Sequence, residues 1–225
     1  MTVFVTGGTG YMGSRLIARL CARGHAVRAL VRAGSESKLP PGPTLVRGDA
    51  LDAGTYAGHV RGSDVFVHLI GVAHPSPSKA KQFLAIDLPS VEAAVDAAKT
   101  AGVDRFVYLS VAQPAPVMKD FVSVRARGEA LICEAGLNAV FLRPWYVLGP
   151  GHWWPVALIP LYWTSERIPS SRDTARRLGL VTIRQMTTAL VKAVESRDEG
   201  VQIIDVPAIR ACADIPVPSP GCHPR

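Results

Sequence analysis

The chain of 225 residues carries 25 Lys and Arg residues against 18 Asp and Glu residues, a formal net charge of +7 at pH 7. This length fits one domain with a buried core. The basic residues are scattered, with no run longer than Arg176-Arg177, which argues against nucleic acid as the main ligand.

Three further features bound the class of protein. No stretch approaches the roughly 18 consecutive apolar residues that suggest a membrane span. Residues 1–6 show neither a basic leader nor a cleavage site, so we expect a reduced, cytoplasmic setting. No metal site is predicted, because the cysteines form no CxxC pair and match no zinc spacing: Cys21, Cys133, Cys212 and Cys222.

A glycine-rich segment follows the first apolar run, and an apolar pattern of helical spacing follows the glycines. Strand, glycine turn and helix form a dinucleotide-binding unit, because glycine permits both a tight turn and close approach of a pyrophosphate. A P-loop would need Lys and Ser or Thr after the last glycine, where this chain has Ser14-Arg15. The predicted cofactor contacts here are Gly7, Thr9, Gly10, Tyr11, Met12 and Gly13.

The residue after the second predicted strand bears on the choice of cofactor. NAD-binding units usually place an acid there to accept from the ribose 2′-OH, but residues 30–35 contain none. Arg32 could pair with a 2′-phosphate instead, with Arg28 nearby and Ser35 and Lys38 as further contacts. We therefore predict NADP(H) as the preferred cofactor and NAD(H) as a possible one; the alternative is a solvated arginine at a strand end.

Apolar segments alternate with helical patterns along the chain, which predicts an α/β fold with a doubly wound parallel sheet of the Rossmann type. One NAD(P)-binding domain is expected over 1–210, with a small substrate-side or lid segment at 144–180 and a disordered tail at 211–225. Pro89 is expected to split the helix that lies between the fourth and fifth strands. Thr182 and Gln185 are expected to form a capping box at the start of a later helix. The predicted strands are 3–6, 27–31, 45–46, 64–71, 106–111, 140–143 and 201–206.

Two histidines accompany the fourth predicted strand. His68 lies within a run that is almost entirely apolar, so we interpret it as a satisfied histidine of the sheet rather than a catalytic one. His74 lies in the polar loop after that strand, over the expected mouth of the site, and is the better catalytic candidate of the two.

Several motifs carry a family resemblance. Thr6-Gly7-x-x-Gly10-x-x-Gly13 resembles the TGxxGxxG loop of extended and atypical short-chain dehydrogenases/reductases. Later in the chain, Glu129, Ala135-Gly136-Leu137 and Leu142-Arg143-Pro144 are similar to the K-x-x-x-E … S-G-L … L-R-P pattern of the NmrA-like and complex I accessory-subunit-like branches. The resemblance extends over residues 1–206.

At the adenine end of the cofactor, the resemblance implies a role for the segment after the third strand. Asp49 would bond the exocyclic amine of adenine, and Ala50 or Leu51 would pack on the ring. Asp52, four residues after Gly48, is better interpreted as the N-cap of a short helix.

At the nicotinamide end, the resemblance implies that Leu69, Ile70 and Gly71 end the fourth strand against the cofactor, with Gly71 leaving room for the ribose. Ser110 matches the catalytic serine at the end of the fifth strand, although a serine there often only bonds the backbone. The segment that begins at Pro144 would lie under the nicotinamide and the substrate.

The chain departs from the family at the Tyr-x-x-x-Lys pair. On the corresponding helix, Phe121 replaces the tyrosine and Arg125 replaces the lysine. Phenylalanine has no proton to transfer, and arginine stays charged, although it can still hold ribose hydroxyls and orient the cofactor. The usual acid–base chemistry is therefore not available at these two positions.

An aromatic run at 152–163 follows the sixth strand and contains three of the four tryptophans. It could line an apolar substrate pocket, form a dimer contact or touch a membrane surface peripherally. Tyr146, Tyr162 and His152 could donate a proton in place of the missing tyrosine, and Tyr146 is the catalytic candidate chosen among them.

These observations predict an NAD(P)H-binding oxidoreductase, monomeric or homodimeric, that acts on an apolar carbonyl or quinone. The catalytic candidates are Ser110, Arg125 and Tyr146. The alternative is a non-catalytic NADP(H) sensor or an assembly or regulatory factor, because both members of the tyrosine–lysine pair are replaced.

Overall fold

A computed structural model describes residues 1–151, 154–165, 167–168 and 172–212 of the chain. Its centre is a seven-stranded sheet in the order β3-β2-β1-β4-β5-β6-β9, in which every neighbouring pair is parallel. These strands are β1 Thr2–Thr6, β2 Ala26–Val31, β3 Thr44–Arg47, β4 Val65–His68, β5 Arg105–Leu109, β6 Asn138–Arg143 and β9 Val201–Asp205. The chain order reverses between β1 and β4, so the doubly wound fold is confirmed.

Helices cover both faces of the sheet. The helices of the described chain are α1 Tyr11–Ala22, α2 Ala57–Val60, α3 Ala80–Gln82, α4 Leu88–Ala101, α5 Lys119–Glu134, α6 Ile159–Ser165, α7 Arg172–Arg177, α8 Ile183–Glu195 and α9 Val206–Ala211. One core cluster joins α1 and α8 to the sheet, and a second joins α2, α4 and α5 to its other face. None of these helices combines the length and the apolar character that crossing a membrane requires.

The inner strands are buried on both faces, which explains their continuous apolar sequences. Val3 and Val5 point into the first cluster, while Phe4 between them points into the second. Phe4 packs 5.2 Å from Phe66, and Phe66 stacks 5.1 Å from Phe106, as measured between ring centroids. Aromatic contacts thus run across three neighbouring strands of one face.

Two local predictions are confirmed and one is wrong. Thr182 and Gln185 form the capping box of α8, and Asp52 caps the short 3₁₀ turn Ala53–Thr55 by accepting from the Gly54 N–H at 2.9 Å. Pro89 does not split its helix. It lies in the first turn of α4, which continues directly from a π-helical turn at Phe83–Asp87. Because the helix continues through this point, Pro89 cannot donate to a carbonyl of the preceding turn, and that turn is the π-helical one.

The substrate-side segment contains structure that the sequence did not predict. β7 Tyr146–Leu148 and β8 Leu180–Thr182 form a separate two-stranded parallel sheet. A 3₁₀ turn at Trp154–Leu158 and helices α6 and α7 lie between them in the chain. His152 and residues 213–225 of the predicted tail lie outside the described residues.

Candidate functional site

The glycine loop lies at the carboxyl end of β1. Gly7 has a φ of +74°, and its carbonyl accepts from the Gly10 N–H at 3.0 Å, which closes the turn directly before α1. A Cβ on Gly13 would stand 2.2 Å from the Gly7 carbonyl oxygen, so close packing of helix on loop excludes any side chain. The loop therefore needs glycine for its own geometry as well as for a ligand.

The start of α1 fits a pyrophosphate. Gly10 is its N-cap, no side chain of the described residues caps it, and its first turn contains no acidic residue. The first N–H groups of a helix point outward and carry the positive end of the helix dipole. An anion placed at this loop would therefore meet open backbone donors and no opposing carboxylate.

Arg32 and Arg28 differ in their surroundings. Arg32 directly follows β2 and is exposed, and no hydrogen bond or ion pair of its side chain is found within the described ranges. Arg28 is committed elsewhere, because its Nη1 donates to the carbonyls of His59 and Arg61 at 3.0 and 2.7 Å. Ser35 and Lys38 follow Arg32 at a short 3₁₀ turn, Glu36–Lys38, of which Ser35 is the N-cap.

Asp49 lies exposed in the loop after β3, beside the end of β2. Its Oδ1 accepts from the Leu51 N–H at 3.0 Å, and its own N–H donates to Thr55 Oγ1 at 2.9 Å. Ala50 is half-buried and packs on the second core cluster. The loop is thus held in place by its own hydrogen bonds while the carboxylate faces solvent.

The residues after β4 approach the glycine loop. Leu69 extends the ladder by one hydrogen bond to the Thr6 carbonyl, and a Cβ on Gly7 would stand 2.8 Å from the Leu69 carbonyl carbon. Ile70 accepts a hydrogen bond from Arg125. A Cβ on Gly71 would stand 2.0 Å from Arg125 Nη2. The absence of a side chain at Gly71 therefore leaves room for the arginine of this chain.

Arg125 is 4% exposed and lies between the ends of β4 and β5. Its Nη1 donates to the carbonyls of Ile70 at 3.1 Å and Leu109 at 3.0 Å, and its Nη2 pairs with Asp87 Oδ1 at 3.2 Å. The ring of Phe121, one turn earlier on α5, lies 5.3 Å from the guanidinium carbon. The two replaced positions therefore contact each other, and the arginine binds the protein itself.

Ser110 follows β5 and lies beside this arginine. Its N–H donates to the Leu142 carbonyl at 2.8 Å, which ties it to the end of β6. The side chain is 5% exposed, and its hydroxyl has no hydrogen-bond partner among the described residues. The hydroxyl does not simply bond the backbone there, so a hydrogen-bonding capacity remains open at the end of β5.

Tyr146 and Pro144 lie on the next segment. Pro144 is buried, and its carbonyl accepts from the Ala112 N–H at 3.0 Å. Tyr146, in β7, packs edge-on against Trp145 at 5.8 Å between ring centroids. Burial, and then the nearby Tyr146, raise the pKa of Tyr162, so these two phenols are neighbours. Since the Ser110 hydroxyl has no partner, neither phenol is bonded to it in this arrangement of the described chain.

The two histidines behave differently. His68 is fully buried, with Nδ1 2.9 Å from Thr6 Oγ1 and Nε2 3.2 Å from Ser90 Oγ. Burial, assisted by the charge of Arg125, lowers the pKa of His68 to about 3, so the ring is neutral at pH 7. The interpretation of His68 as a satisfied sheet histidine is confirmed. His74 is exposed in the loop at a φ of +50°, and its catalytic role stays a prediction.

Asp87 is the residue of this region that the sequence did not reveal. It is 1% exposed, ends the π-helical turn and faces Arg125 from the opposite helix. The sequence did contain one signal that such an acid exists: an arginine occupies the lysine position on a buried helix face, and a buried guanidinium needs a partner. Nothing in the local sequence of Asp87 indicated which acid would meet it.

A cavity of about 300 Å³ opens at the carboxyl ends of β5, β6 and β9. Its lining includes Arg143, Arg176, Arg177, Asp173 and Asp205. Arg143 is already held by Glu129, which also accepts from Gln113. Charged side chains of both signs thus line this cavity together with apolar ones such as Ile203 and Pro207.

Comparison with known proteins places the chain in a family. Residues 7–148 match the family model described as NAD(P)H-binding, which is more than half of the chain. A 3-diazoavenalumate denitrifying reductase of Streptomyces sp is 30% identical, over 89% of this chain and 74% of its own. A 3 beta-hydroxysteroid dehydrogenase/Delta 5-->4-isomerase of Mycobacterium tuberculosis is 36% identical over 48% of this chain. A ceramide reductase of Caulobacter vibrioides is 26% identical over 84%.

Among solved structures, the Bordetella bronchiseptica enzyme WbmH in complex with NAD+ aligns with a TM-score of 0.68. It is 23% identical, and the alignment covers 91% of this chain and 75% of that one, so it shows the fold. The chain spans 31% of the length of the mycobacterial relative and 59% of the ceramide reductase.

The fold and the glycine loop define a Rossmann protein that binds a nicotinamide dinucleotide. The chain belongs to the NAD(P)H-binding family, which agrees with the resemblance to atypical short-chain dehydrogenases/reductases, and its relatives are named as reductases and dehydrogenases.

Proposed function

We propose that the protein is an NADPH-dependent reductase of an apolar carbonyl or quinone. The observation that carries the choice of NADPH is the exposed Arg32 guanidinium at the end of β2, for which the described part of the chain offers no hydrogen-bond or ion-pair partner. A guanidinium pairs bidentately with a phosphate, and no acid lies there to accept from a ribose 2′-OH. The engagement of Arg28 with two carbonyls leaves Arg32 as the residue that would select the 2′-phosphate.

Titration of NADPH, NADP⁺, NADH and NAD⁺ against the purified protein tests this proposal. NADPH is expected to bind most tightly, and Arg32→Ala to remove the preference over NADH, because a charge-assisted pair contributes about 1.5–3 kcal/mol. Arg28→Ala is the matched control: it removes an equal charge from β2, the strand that Arg32 follows, and should keep the preference. Equal affinities for NADPH and NADH in the wild-type protein would refute the role of Arg32.

The names of relatives support the reduction of an apolar substrate, and the site offers polar groups for a carbonyl oxygen. Relatives named as reductases include a ceramide reductase and a farnesyl-dihydroquinoline-oxide ketoreductase, whose names describe apolar substrates. Bound NADPH would supply a hydride. Ser110, whose buried hydroxyl has no partner among the described residues, would hold the substrate oxygen, and Tyr146 would donate the proton that Phe121 cannot.

Turnover provides a separate test. We expect stopped-flow oxidation of NADPH with a panel of quinones and aldehydes to show a rate that Ser110→Ala lowers. Gly10→Asp is the inactive reference, since a Cβ on Gly10 would already lie 3.1 Å from the Gly7 carbonyl and a carboxylate would repel the pyrophosphate. No rate above this reference would contradict the enzymatic part of the proposal.

A second candidate is a non-catalytic NADP(H) sensor or an assembly or regulatory factor. The observation that favours it is the engagement of Arg125 by protein acceptors beside a phenylalanine. Its signature would be tight NADPH binding without turnover on any member of the panel. Activity gained by Phe121→Tyr with Arg125→Lys would then show a competent fold that is silent in its native form.

A further inference from the structure

We propose that Asp87 and Arg125 form a buried clamp that positions the ends of β4 and β5 for the nicotinamide half of the cofactor. The inference rests on the proposed function and deepens it, because it assigns Asp87 a role in the same site. Asp87 acts through Arg125, so it is a positioning residue.

Arg125 joins two strand ends that the ladder no longer holds together. β4 ends at His68 and β5 at Leu109, and their last paired residues are His68 and Tyr108. Beyond that pair, one nitrogen of Arg125 bonds the carbonyls of Ile70 and Leu109. Each carbonyl directly precedes a candidate site residue, Gly71 or Ser110. The guanidinium therefore sets the separation of these two residues.

Asp87 fixes the guanidinium from the other side. Its Oδ1 accepts from Arg125 Nη2 at 3.2 Å and from the Val72 N–H at 2.9 Å, so it holds both the arginine and the loop that follows Gly71. The side chain of Asp87 has no exposed surface and that of Arg125 is 5% exposed. A buried charge without its partner is costly, so neither residue can leave the arrangement alone.

The neighbours of the pair are shaped for a guanidinium. The position of Nη2, 2.0 Å from where a Cβ on Gly71 would be, leaves no room for any side chain at 71. Phe83, from the π-helical turn, packs 5.0 Å from Phe121, whose ring lies against the guanidinium. A lysine ammonium lacks the planar fork that reaches both strand carbonyls and Asp87 at once.

Paired ligand titrations test the clamp. NADPH carries both halves of the cofactor, whereas 2′,5′-ADP carries the adenine half alone. Asp87→Asn, which keeps the shape and removes the charge, is expected to weaken NADPH binding about fivefold or more. Its affinity for 2′,5′-ADP should stay within about twofold, since that ligand would lie at the ends of β1 and β2. A general loss of structure would weaken both ligands.

Gly71→Ala and Arg127→Lys complete the experiment. Gly71→Ala displaces the guanidinium while Asp87 and Arg125 both remain, so it should also weaken NADPH binding and leave 2′,5′-ADP binding unchanged. This second variant keeps the proposal testable if Asp87→Asn does not fold. Arg127→Lys is the control, because Arg127 lies on the same helix in a surface pair with Glu134 and should change neither affinity. If Asp87→Asn and Gly71→Ala lose affinity equally for both ligands, or lose none, the clamp is overturned while the proposed function stands. A wild-type protein that binds neither ligand overturns the proposed function and the clamp with it.

Discussion

His68 shows how a single side chain can link the sheet to solution pH. It lies in β4 without exposed surface and joins Thr6 of β1 to Ser90 of α4. Because its pKa in the folded protein is about 3 and the ordinary value is near 6.5, the unfolded chain binds a proton between these values and the folded protein does not. This difference favours unfolding as the pH falls below about 6.5.

We predict that His68→Gln flattens the acid dependence of stability. The wild-type contribution of His68 should decline by up to about 1.4 kcal/mol for each pH unit below 6.5, and the variant should lack it. The raised pKa of Asp87, caused by burial, acts in the opposite direction and is common to both proteins. Urea unfolding at pH 7, 6 and 5 measures the difference. His59→Gln, at an exposed position, should follow the wild type; a parallel decline of His68→Gln would refute the assignment.

At the residue scale, the sequence could predict roles that depend on near neighbours. Asp52 was recognised as a cap and His68 as a buried histidine, because spacing and apolar context suffice for both. The partners of Arg28 and Arg125 could not be predicted in this way. Arg28 bonds residues more than thirty positions away, and Arg125 meets Asp87 across 38 positions, so only the tertiary fold brings them together.

At the scale of elements, α8 illustrates a helix whose start is specified locally. The Thr182 hydroxyl accepts from the Gln185 N–H at 3.2 Å, and the Gln185 side chain accepts from the Thr182 N–H at 2.9 Å. The helix then contributes most of its length to the first core cluster. Its far end is tied to α1 by Glu195, which binds Arg23 through two hydrogen bonds and contacts His25.

We predict that Thr182→Ala lowers the free energy of unfolding by about 1 kcal/mol, since the backbone donor it satisfies loses its partner. Chemical denaturation at pH 7 measures this loss. Thr100→Ala, at an exposed position in the last turn of α4, provides the control and should stay within about 0.5 kcal/mol of the wild type. Equal effects of the two substitutions would contradict the importance of the cap.

Some secondary-structure elements could not be predicted from sequence patterns. β7 and β8 contain three residues each, too few for an alternating pattern to stand out, and two helices separate them in the chain. The π-helical turn at Phe83–Asp87 has no sequence signature, and Pro89 suggested a break instead. By contrast, the long buried strands of the main sheet were predicted because both of their faces are apolar.

At the scale of the whole molecule, the topology explains why the predicted site residues gather at one edge. Every strand of the main sheet is parallel, so all of their carboxyl ends meet there, and the order reverses between β1 and β4. Arg32, Asp49, Gly71 and Ser110 come from four separate parts of the chain, yet each follows one of these strands. A ligand across this edge would contact loops from both halves of the sheet.

We therefore predict that NADPH stabilises the entire domain. A ligand that binds the folded state alone adds about 2.7 kcal/mol to stability at a concentration about 100 times its Kd. Differential scanning fluorimetry should show a rise in the unfolding midpoint that is larger with NADPH than with equal NADH. Gly10→Asp should unfold at the same temperature with and without either nucleotide. A rise that persists in this variant would place binding elsewhere.

The contacts of Arg125 also bear on how this sequence could change over evolutionary time. A single mutation of Arg125 to lysine would leave the Ile70 and Leu109 carbonyls short of donors and Asp87 with a poorer partner. Acquiring a tyrosine at 121 first would place a phenol against a guanidinium that remains locked in place. A stepwise route from this sequence to the tyrosine–lysine pair thus passes through variants in which buried carbonyls lack their donors. The clamp therefore makes stepwise acquisition of a tyrosine–lysine pair by this sequence difficult.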